Sequence, residues 1–245
     1  GFGYADIPIV LDIRDVAGHI EMAKEYSRKL SMAAVFTEGA DVEVTVAATA
    51  RSLGLPGVSL EAAYACNNKV RMREIFQEHG IPGPRFREVR GLAEAEEAVR
   101  AIGLPIMIKA VDNCGSRGAK KVERREELPR ALENAKCFSS TGTALMEEYL
   151  QGPEQSVETL VYKGIHYRLN IVDRPFGFDP YPIELGHINP TDLPASVQDQ
   201  MFALVERGAK ALGIDFGAAK GDMMLTDRGP IILEMTARLS GGFDC

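Results

Sequence analysis

Short apolar runs alternate with stretches of helical spacing over the first 60 residues. The runs at 7–11 and 32–36 contain no charged side chain and predict buried strands. Apolar positions recur every three to four residues at 19–30 and 42–53, which predicts two amphipathic helices. An alternation of strands and helices is typical of a parallel α/β sheet with helices on its faces. The pattern therefore predicts a small N-terminal α/β domain over residues 1–66.

The rest of the chain carries a longer series of helices and strands that changes character near residue 150. Helical periodicity predicts helices at 60–79 (with a break near Asn67-Asn68), 92–102, 126–137 and 194–212. Apolar runs predict strands at 105–111, 119–123, 143–150, 155–162, 166–173, 182–185, 219–225 and 230–236. Turn residues at Lys163-Gly164 and at 227–229 make the later strands antiparallel hairpins. We therefore expect two further units, 67–150 and 151–245.

The composition is that of a folded globular protein with an acidic surface. Of 245 residues, 45% are hydrophobic and 26% charged, and the net charge is −7. No block of Lys and Arg stands out, so a duplex nucleic acid is not an expected partner. A local basic site for an anionic ligand remains compatible with this charge.

The sequence also leads to expectations about the cellular compartment of the protein and about the two ends of the chain. No apolar run approaches the roughly 18–20 residues that span a bilayer, and no signal peptide pattern opens the chain. The four cysteines, Cys66, Cys114, Cys137 and Cys245, are scattered without a CxxC pair. A core of this size needs no disulfides, so we expect reduced thiols in a cytoplasmic protein. Both ends meet predicted strands abruptly, and we expect them to interrupt a larger fold.

Two carboxylates face each other in the last hairpin if its loop has three residues. A loop at 227–229 pairs Thr226 with Pro230 and sets Asp222 directly opposite Glu234. Opposed carboxylates repel each other, whereas Mg²⁺ turns that repulsion into binding together with substrate phosphates. The opposite face would be apolar and buried, with Met223, Leu225, Ile231, Leu233 and Met235. The alternatives are two solvated carboxylates, or a two-residue loop whose shifted register separates the pair.

A second candidate site begins at Lys109, which closes the apolar strand 105–109. A buried ammonium needs a partner, and the loop that follows contains Gly115, Ser116 and Gly118. Glycines let backbone N–H groups approach a phosphate, and the serine hydroxyl can donate as well. The order of residues is not that of a Walker A loop. An ordinary hairpin loop is the alternative interpretation.

The segment 146–154 and Arg238 complete the set of candidates. A strand edge that leaves its ladder exposes N–H and C=O groups, which can bind an adenine edge between apolar side chains. Glu147, Tyr149 and Leu150 lie in such a segment, and the turn after it returns Glu154 to the same space. Arg238 follows the carboxylate hairpin and suits a phosphate or carboxylate. Judged singly, these residues also fit a solvated strand and a surface ion pair.

Taken in order, these features resemble the ATP-grasp family of carboxylate–amine or carboxylate–thiol ligases. The resemblance rests on matching stretches that span essentially the whole chain: 68–73 with 80–84, 105–109 with 115–118, 147–154, 213–217, Asp222, and 234–242. It implies a nucleotide held between two α+β lobes. Residues 1–66 would be an incomplete Rossmann-like N-terminal domain, followed by the two ATP-grasp lobes at 67–150 and 151–245.

The resemblance also implies roles for individual residues. Nucleotide contacts would come from Lys69, Lys109, Gly115, Ser116, Gly118, Glu147, Tyr149, Leu150 and Glu154. Asp222 and Glu234 would bind Mg²⁺ or Mn²⁺, while Lys109 and Arg238 would act on the transferring phosphoryl group. The implied reaction activates a small-molecule carboxylate as an acyl-phosphate, which an amine then captures. The partners would thus be small substrates rather than nucleic acid or membrane, in a possible homodimer.

One departure from the family pattern keeps other functions open. Thr236 stands where the family commonly has Asn, and threonine is a poorer ligand for a second metal. A non-catalytic nucleotide-binding or regulatory module is therefore one alternative, and a carboxylase-like member that activates bicarbonate is another. Retention of both lysines, both metal carboxylates and Arg238 argues against the first.

Overall fold

The computed structural model describes residue 3 and residues 5–241; Gly242 of the terminal motif and Cys245 lie outside them. The helices are α1 Val16–Ser27, α2 Glu43–Ser52, α3 Leu60–Asn67, α4 Lys69–Glu78, α5 Leu92–Ile102, α6 Leu128–Cys137 and α7 Ala195–Leu212. The strands are β1 Phe86–Val89, β2 Ile106–Ala110, β3 Lys120–Val122, β4 Ala144–Glu148, β5 Glu154–Tyr162, β6 Ile165–Arg174, β7 Phe176–Gly177, β8 Ile183–Glu184, β9 Phe216–Thr226 and β10 Gly229–Thr236. Within the described residues, none of the helices combines the length and the apolar character that a bilayer-spanning segment needs.

The N-terminal segment contains two helices but no strand within residues 5–59. The runs at 7–11 and 32–36, which we predicted as strands, have no ladder partner in this part of the structure. Several of their apolar side chains are consequently exposed, with Val10 at 84% and Phe36 at 82%. The prediction of those two strands is wrong, because an apolar run forms a strand only where a neighbouring strand completes its hydrogen bonds. The Rossmann-like arrangement is not confirmed.

The first sheet has the order β1-β4-β2-β3, with antiparallel neighbours throughout. Helices α5 and α6 pack on one face, and their apolar side chains form a core with Ile106, Ile108 and Met146. Strand β1 was not predicted, because Phe86–Val89 is short and has two charged residues at its centre. The break at Asn68 is confirmed: its side chain accepts a hydrogen bond from the Arg71 amide and caps α4.

The second sheet has the order β10-β9-β5-β6 and is also antiparallel. Helices α3, α4 and α7 cover one face through a core that includes Phe76, Met201, Val205 and Met223. The opposite face of its β9–β10 end turns toward the first sheet and carries the polar residues described below. A third, two-stranded antiparallel sheet pairs β7 with β8. The described residues thus have a mixed α/β fold with two four-stranded antiparallel sheets and this small one, as the ATP-grasp resemblance implies.

The link between the two four-stranded sheets, residues 149–153, packs closely against β9. A Cβ at Gly152, whose φ is +150°, would lie 2.1 Å from the carbonyl oxygen of Leu225. The Leu225 amide donates to the Pro153 carbonyl at 3.0 Å. This close approach requires glycine and sets the point at which β5 begins. The division of the chain near residues 66 and 150 into folding units stays a prediction.

Candidate active site

A cleft of about 870 Å³ lies between the two sheets. It collects the candidate residues from both sides, although they are spread over 170 positions of the chain. Those that line it are Lys69, Lys109, Gly115, Ser116, Glu147, Tyr149, Leu150, Glu154, Asp222, Glu234 and Arg238. Gly118 does not line the cleft: a Cβ there would lie 3.2 Å from Ala110, Ala135 and Phe138, so this glycine serves close packing.

A buried ion-pair network forms the wall at the end of β4. Glu147 is 1% exposed and accepts from Arg73 Nε at 2.5 Å, while Lys109 Nζ lies 2.7 Å from its other oxygen. Burial alone raises the pKa of Glu147, but the charges of Arg73 and Lys109 outweigh it and hold the pKa at about 2. Glu147 is therefore ionised and fixes the ammonium of Lys109, which is 20% exposed, beside the cleft.

The register of the last hairpin confirms the opposed carboxylates, but for a different reason than we predicted. The loop has two residues, because Gly229 pairs with Thr226. A β-bulge between Ile232 and Glu234 then adds one residue to β10 and restores Glu234 opposite Asp222. The sequence carries no recognisable mark of the bulge.

The bulge also corrects which apolar side chains of the hairpin are in the core. Ile232, not Ile231, joins Met223 and Met235 against α7. Ile231 instead belongs to a small apolar cluster with Leu150 and Met224, against which Leu233 packs. Met224, Leu150 and Leu233 line the cleft, so this cluster offers an apolar surface for a flat ring.

Each of the two opposed carboxylates has a cationic partner. Lys69 Nζ lies 2.8 Å from Glu234 and donates to the Asn113 carbonyl at 2.6 Å. Asp222 pairs with Lys220 at 3.0 Å and with Arg174 at 2.9 Å. Burial raises the pKa of Asp222, yet the charges of Lys220 and Arg174 leave it below its usual value. The Asp222 carboxylate is therefore held in its anionic form directly opposite Glu234.

The carboxylates of Asp222 and Glu234 fit a hard divalent cation that also binds a phosphate. Side chains directly opposed across antiparallel strands have Cβ atoms about 4.5–5.5 Å apart, so one ion can contact both carboxylates. Mg²⁺ is commonly held by one or two carboxylates plus substrate phosphates. No group of three or more Asp, Glu, His or Cys gathers into a metal site among the described residues. Asp222 and Glu234 thus match a shared protein–phosphate site better than an all-protein one.

The polar loop after β2 reaches across the cleft. Gly115 and Ser116 have φ of +60° and +57°, and the Ser116 hydroxyl donates to the Pro182 carbonyl at 2.7 Å. Lys121 makes a second link, since its amide donates to the Pro180 carbonyl at 2.9 Å. These two hydrogen bonds join the β2–β3 loop and β3 to the segment between β7 and β8, across the opening of the cleft.

Glu154 occupies the first position of β5, near two cations and two carboxylates. Burial raises its pKa to about 7, and Asp222 and Glu184 add to the effect, while Arg174 and Lys109 oppose it. A carboxyl group with this pKa can accept or donate a hydrogen bond near neutral pH. Tyr149, at the other side of the link, has the Lys121 ammonium 4.8 Å from its ring centre.

Arg238 lines the cleft, but its guanidinium is also bound to the N-terminal segment. It forms a close hydrogen-bonded ion pair with Asp41 and lies 3.5 Å from Glu43, just before and at the start of α2. Burial would lower the pKa of Arg238, but the charges of Asp41 and Glu43 raise it. The sequence did not predict this pairing, which joins residues almost 200 positions apart.

Several charged residues at the site were not predicted from the sequence, among them Asp41, Arg73, Arg174 and Lys220. Arg73 follows Lys69 by four residues and so lies on the same face of α4, which is a signal that helical spacing could have supplied. Arg174 is opposite Glu154 in the β5–β6 register. Asp41 and Lys220 carry no comparable signal, since only the tertiary fold brings them to the cleft.

Comparison with known proteins identifies the family. The model of the ATP-grasp domain matches residues 102–245, and the chain belongs to the ATP-grasp family. A D-alanine–D-alanine ligase of Aromatoleum aromaticum is 32% identical over 185 residues, covering 73% of this chain and 58% of that protein. The ATP-grasp fold and the family resemblance predicted from the sequence are thereby confirmed, whereas the Rossmann-like N-terminal domain is not.

Two solved structures agree with this assignment. The L-amino acid ligase from Bacillus licheniformis is 25% identical with a TM-score of 0.79, covering 96% of this chain and 56% of that one. The biotin carboxylase domain of Hydrogenobacter thermophilus 2-oxoglutarate carboxylase, a dimer with MgADP and bicarbonate, is 21% identical and shares the fold. Its TM-score is 0.80, with 96% of this chain and 54% of that chain covered.

The chain spans about half the length of the curated relatives it matches, 47% and 58% for two of them. Ligases of this family use ATP with Mg²⁺, in agreement with the predicted cofactors.

Proposed function

We propose that this chain is the nucleotide-binding part of an ATP- and Mg²⁺-dependent ligase that activates a carboxylate for attack by an amine. The observation that carries the proposal is the alignment of Glu234 with Asp222 in the same cleft as Lys69 and Lys109. Two anionic ligands beside two ammonium groups suit a metal-bound triphosphate.

The nucleotide's parts match different regions of the cleft. The apolar cluster of Leu150, Met224 and Ile231, with the Tyr149–Leu150 backbone, suits an adenine ring. Glu154 suits a ribose hydroxyl. Lys69, Lys109 and the loop with Gly115 and Ser116 suit the phosphates, because ammonium groups and backbone N–H groups favour phosphate oxygens.

In the proposed reaction, a substrate carboxylate oxygen attacks the γ-phosphorus and the bond to ADP breaks, which forms an acyl-phosphate. An amine then attacks the acyl carbon, loses a proton and displaces phosphate. Lys109 and Arg238 stabilise the negative charge on the phosphoryl oxygens by charge-assisted hydrogen bonds. Asp222 and Glu234 would hold Mg²⁺, which would further stabilise that charge. The loop over the cleft excludes water, which would otherwise hydrolyse the intermediate.

The test uses the full-length gene product and a panel of amino acids, other carboxylates and bicarbonate. ADP release is measured for each with and without candidate amines, and hydroxylamine is added to trap an acyl-phosphate as a hydroxamate. We expect ADP release that requires Mg²⁺ and one class of carboxylate. Mg²⁺-dependent nucleotide binding without ADP release for any member would favour the regulatory module, and release with bicarbonate alone would favour a carboxylase.

The same protein serves to test the proposed homodimer. The biotin carboxylase domain of similar fold was solved as a dimer. We expect a mass of twice the subunit in light scattering coupled to size exclusion; a monomeric mass across micromolar concentrations would refute the dimer.

A further inference from the structure

Arg73 is a buried cation that the proposed chemistry does not use directly. It is 3% exposed and lies on α4, one turn after Lys69. Its Nε donates to Glu147, and its two terminal nitrogens donate to the carbonyls of Ile232 and Leu233. Arg73 therefore contacts both of the sheets that border the cleft, through the side chain of Glu147 and the backbone of β10.

The two carbonyls belong to the β-bulge of β10. A bulge takes backbone groups out of the ladder, and buried carbonyls need another donor. The guanidinium supplies that donor to Ile232 at 3.2 Å and to Leu233 at closer range. Met72, the neighbour of Arg73 on α4, accepts from the Met235 amide at 3.3 Å just after the bulge. Two neighbouring residues of α4 thus bind the backbone of β10, Arg73 at the bulge and Met72 directly after it.

The bulge decides which side chain faces Asp222. The pairs from Gly229↔Thr226 to Ile232↔Met223 would, if continued without a bulge, place Leu233 opposite Asp222. The extra residue places Glu234 there instead. On the other wall, the same guanidinium fixes Glu147, which holds Lys109 at 2.7 Å.

We propose that Arg73 is a positioning residue that aligns the metal carboxylates with the phosphate-binding lysine, by holding the bulge of β10 and Glu147 at once. This inference rests on the proposed function. Lysine has one ammonium in place of the planar fork and cannot serve Glu147 and two separate carbonyls together. The alignment of Glu234 with Asp222 is therefore weaker in Arg73→Lys, although a buried positive charge remains.

The experiment measures ADP binding by calorimetry in the full-length protein, first in chelator and then across a Mg²⁺ titration. Arg73→Lys is compared with wild type and with Arg71→Lys, which alters an exposed arginine of the same helix that bonds Glu74. We expect the Mg²⁺ midpoint to rise at least tenfold in Arg73→Lys. Metal-free ADP affinity should stay within threefold, because the introduced ammonium still pairs with Glu147 and leaves Lys109 in place, whereas the carbonyls of the bulge lose their donors. Arg71→Lys should match wild type in both. In a Glu234→Gln background, Arg73→Lys should have no further effect on the Mg²⁺ midpoint.

An unchanged Mg²⁺ midpoint, or equal weakening with and without metal, overturns the positioning role. Thermal melting of the ligand-free proteins is measured alongside, with Arg73→Gln as a second variant that retains one amide donor. Unfolding of both variants overturns the proposal too, because Arg73 would then support the core as a whole. If wild type itself binds ADP equally with and without Mg²⁺, the proposed function fails first, which is distinguishable from failure of the variant alone.

Discussion

Replacement of Lys109 by alanine tests the phosphate-binding wall of the cleft. The Lys109 ammonium is held 2.7 Å from the buried carboxylate of Glu147 and lines the cleft. A charge-assisted hydrogen bond contributes about 1.5–3 kcal/mol. Loss of one such bond to a phosphate therefore weakens nucleotide binding by about 10- to 150-fold.

Lys120 provides the matched control, because it lies opposite Ile108 on the neighbouring strand but does not line the cleft. Its ammonium is 3.9 Å from Glu127, a loose pair that contributes about 0–1 kcal/mol. We expect Lys120→Ala to leave the nucleotide affinity within a factor of two of wild type.

The assay is calorimetric titration of ADP with Mg²⁺ into wild type, Lys109→Ala and Lys120→Ala. Lys109→Ala also removes one of two cationic partners of Glu147, so melting curves first establish that each variant is folded. Arg73 remains 2.5 Å from the carboxylate and keeps it paired. Equal affinities for the two alanine variants would refute the assignment of Lys109 to a phosphate.

Three other variants test separate features. Glu234→Gln should abolish Mg²⁺-dependent ADP release while lowering ligand-free stability by at most about 1 kcal/mol, because it removes the pair with Lys69; near-normal release would contradict a metal role. The folded-state pKa of Glu154 is raised from 4.5 to about 7, so the unfolded chain loses this proton at lower pH than the folded protein does. As pH rises from 4.5 to 7, the free energy of unfolding of wild type should therefore fall by about 3 kcal/mol relative to Glu154→Gln. A difference between the two proteins in urea unfolding that does not change with pH would refute this. Gly152→Ala should lower stability by about 3 kcal/mol or more, since its Cβ would lie 2.1 Å from a backbone carbonyl, whereas Gly83→Ala meets open space; equal melting temperatures would contradict the close packing of this link.

The last hairpin shows how sequence reasoning can reach a correct pair through an incorrect register. Alternation of apolar and polar positions placed Asp222 opposite Glu234, given a three-residue loop. The actual loop has two residues, and a bulge supplies the missing position. A bulge depends on what satisfies the freed carbonyls, here Arg73 from a helix about 160 residues earlier. Local pattern cannot reveal such a donor.

Elements that depend on local patterns could be predicted from the amino-acid order. Helix α5 ends at Ile102 before Gly103, α4 begins after the Asn68 cap, and the turn at Lys163-Gly164 joins two strands. Each follows from periodicity, capping or turn chemistry acting within a few residues.

Long-range contacts in the folded chain determine which apolar runs form strands and which charged side chains pair. The runs at 7–11 and 32–36 look like strands but have no partner in the described structure, whereas the polar Phe86–Val89 pairs with β4. The ion pair of Arg238 with Asp41 likewise depends on packing the N-terminal segment beside the cleft. Hydrogen-bond ladders and buried ion pairs require both partners in place, and chain folding, not local sequence, brings those partners together.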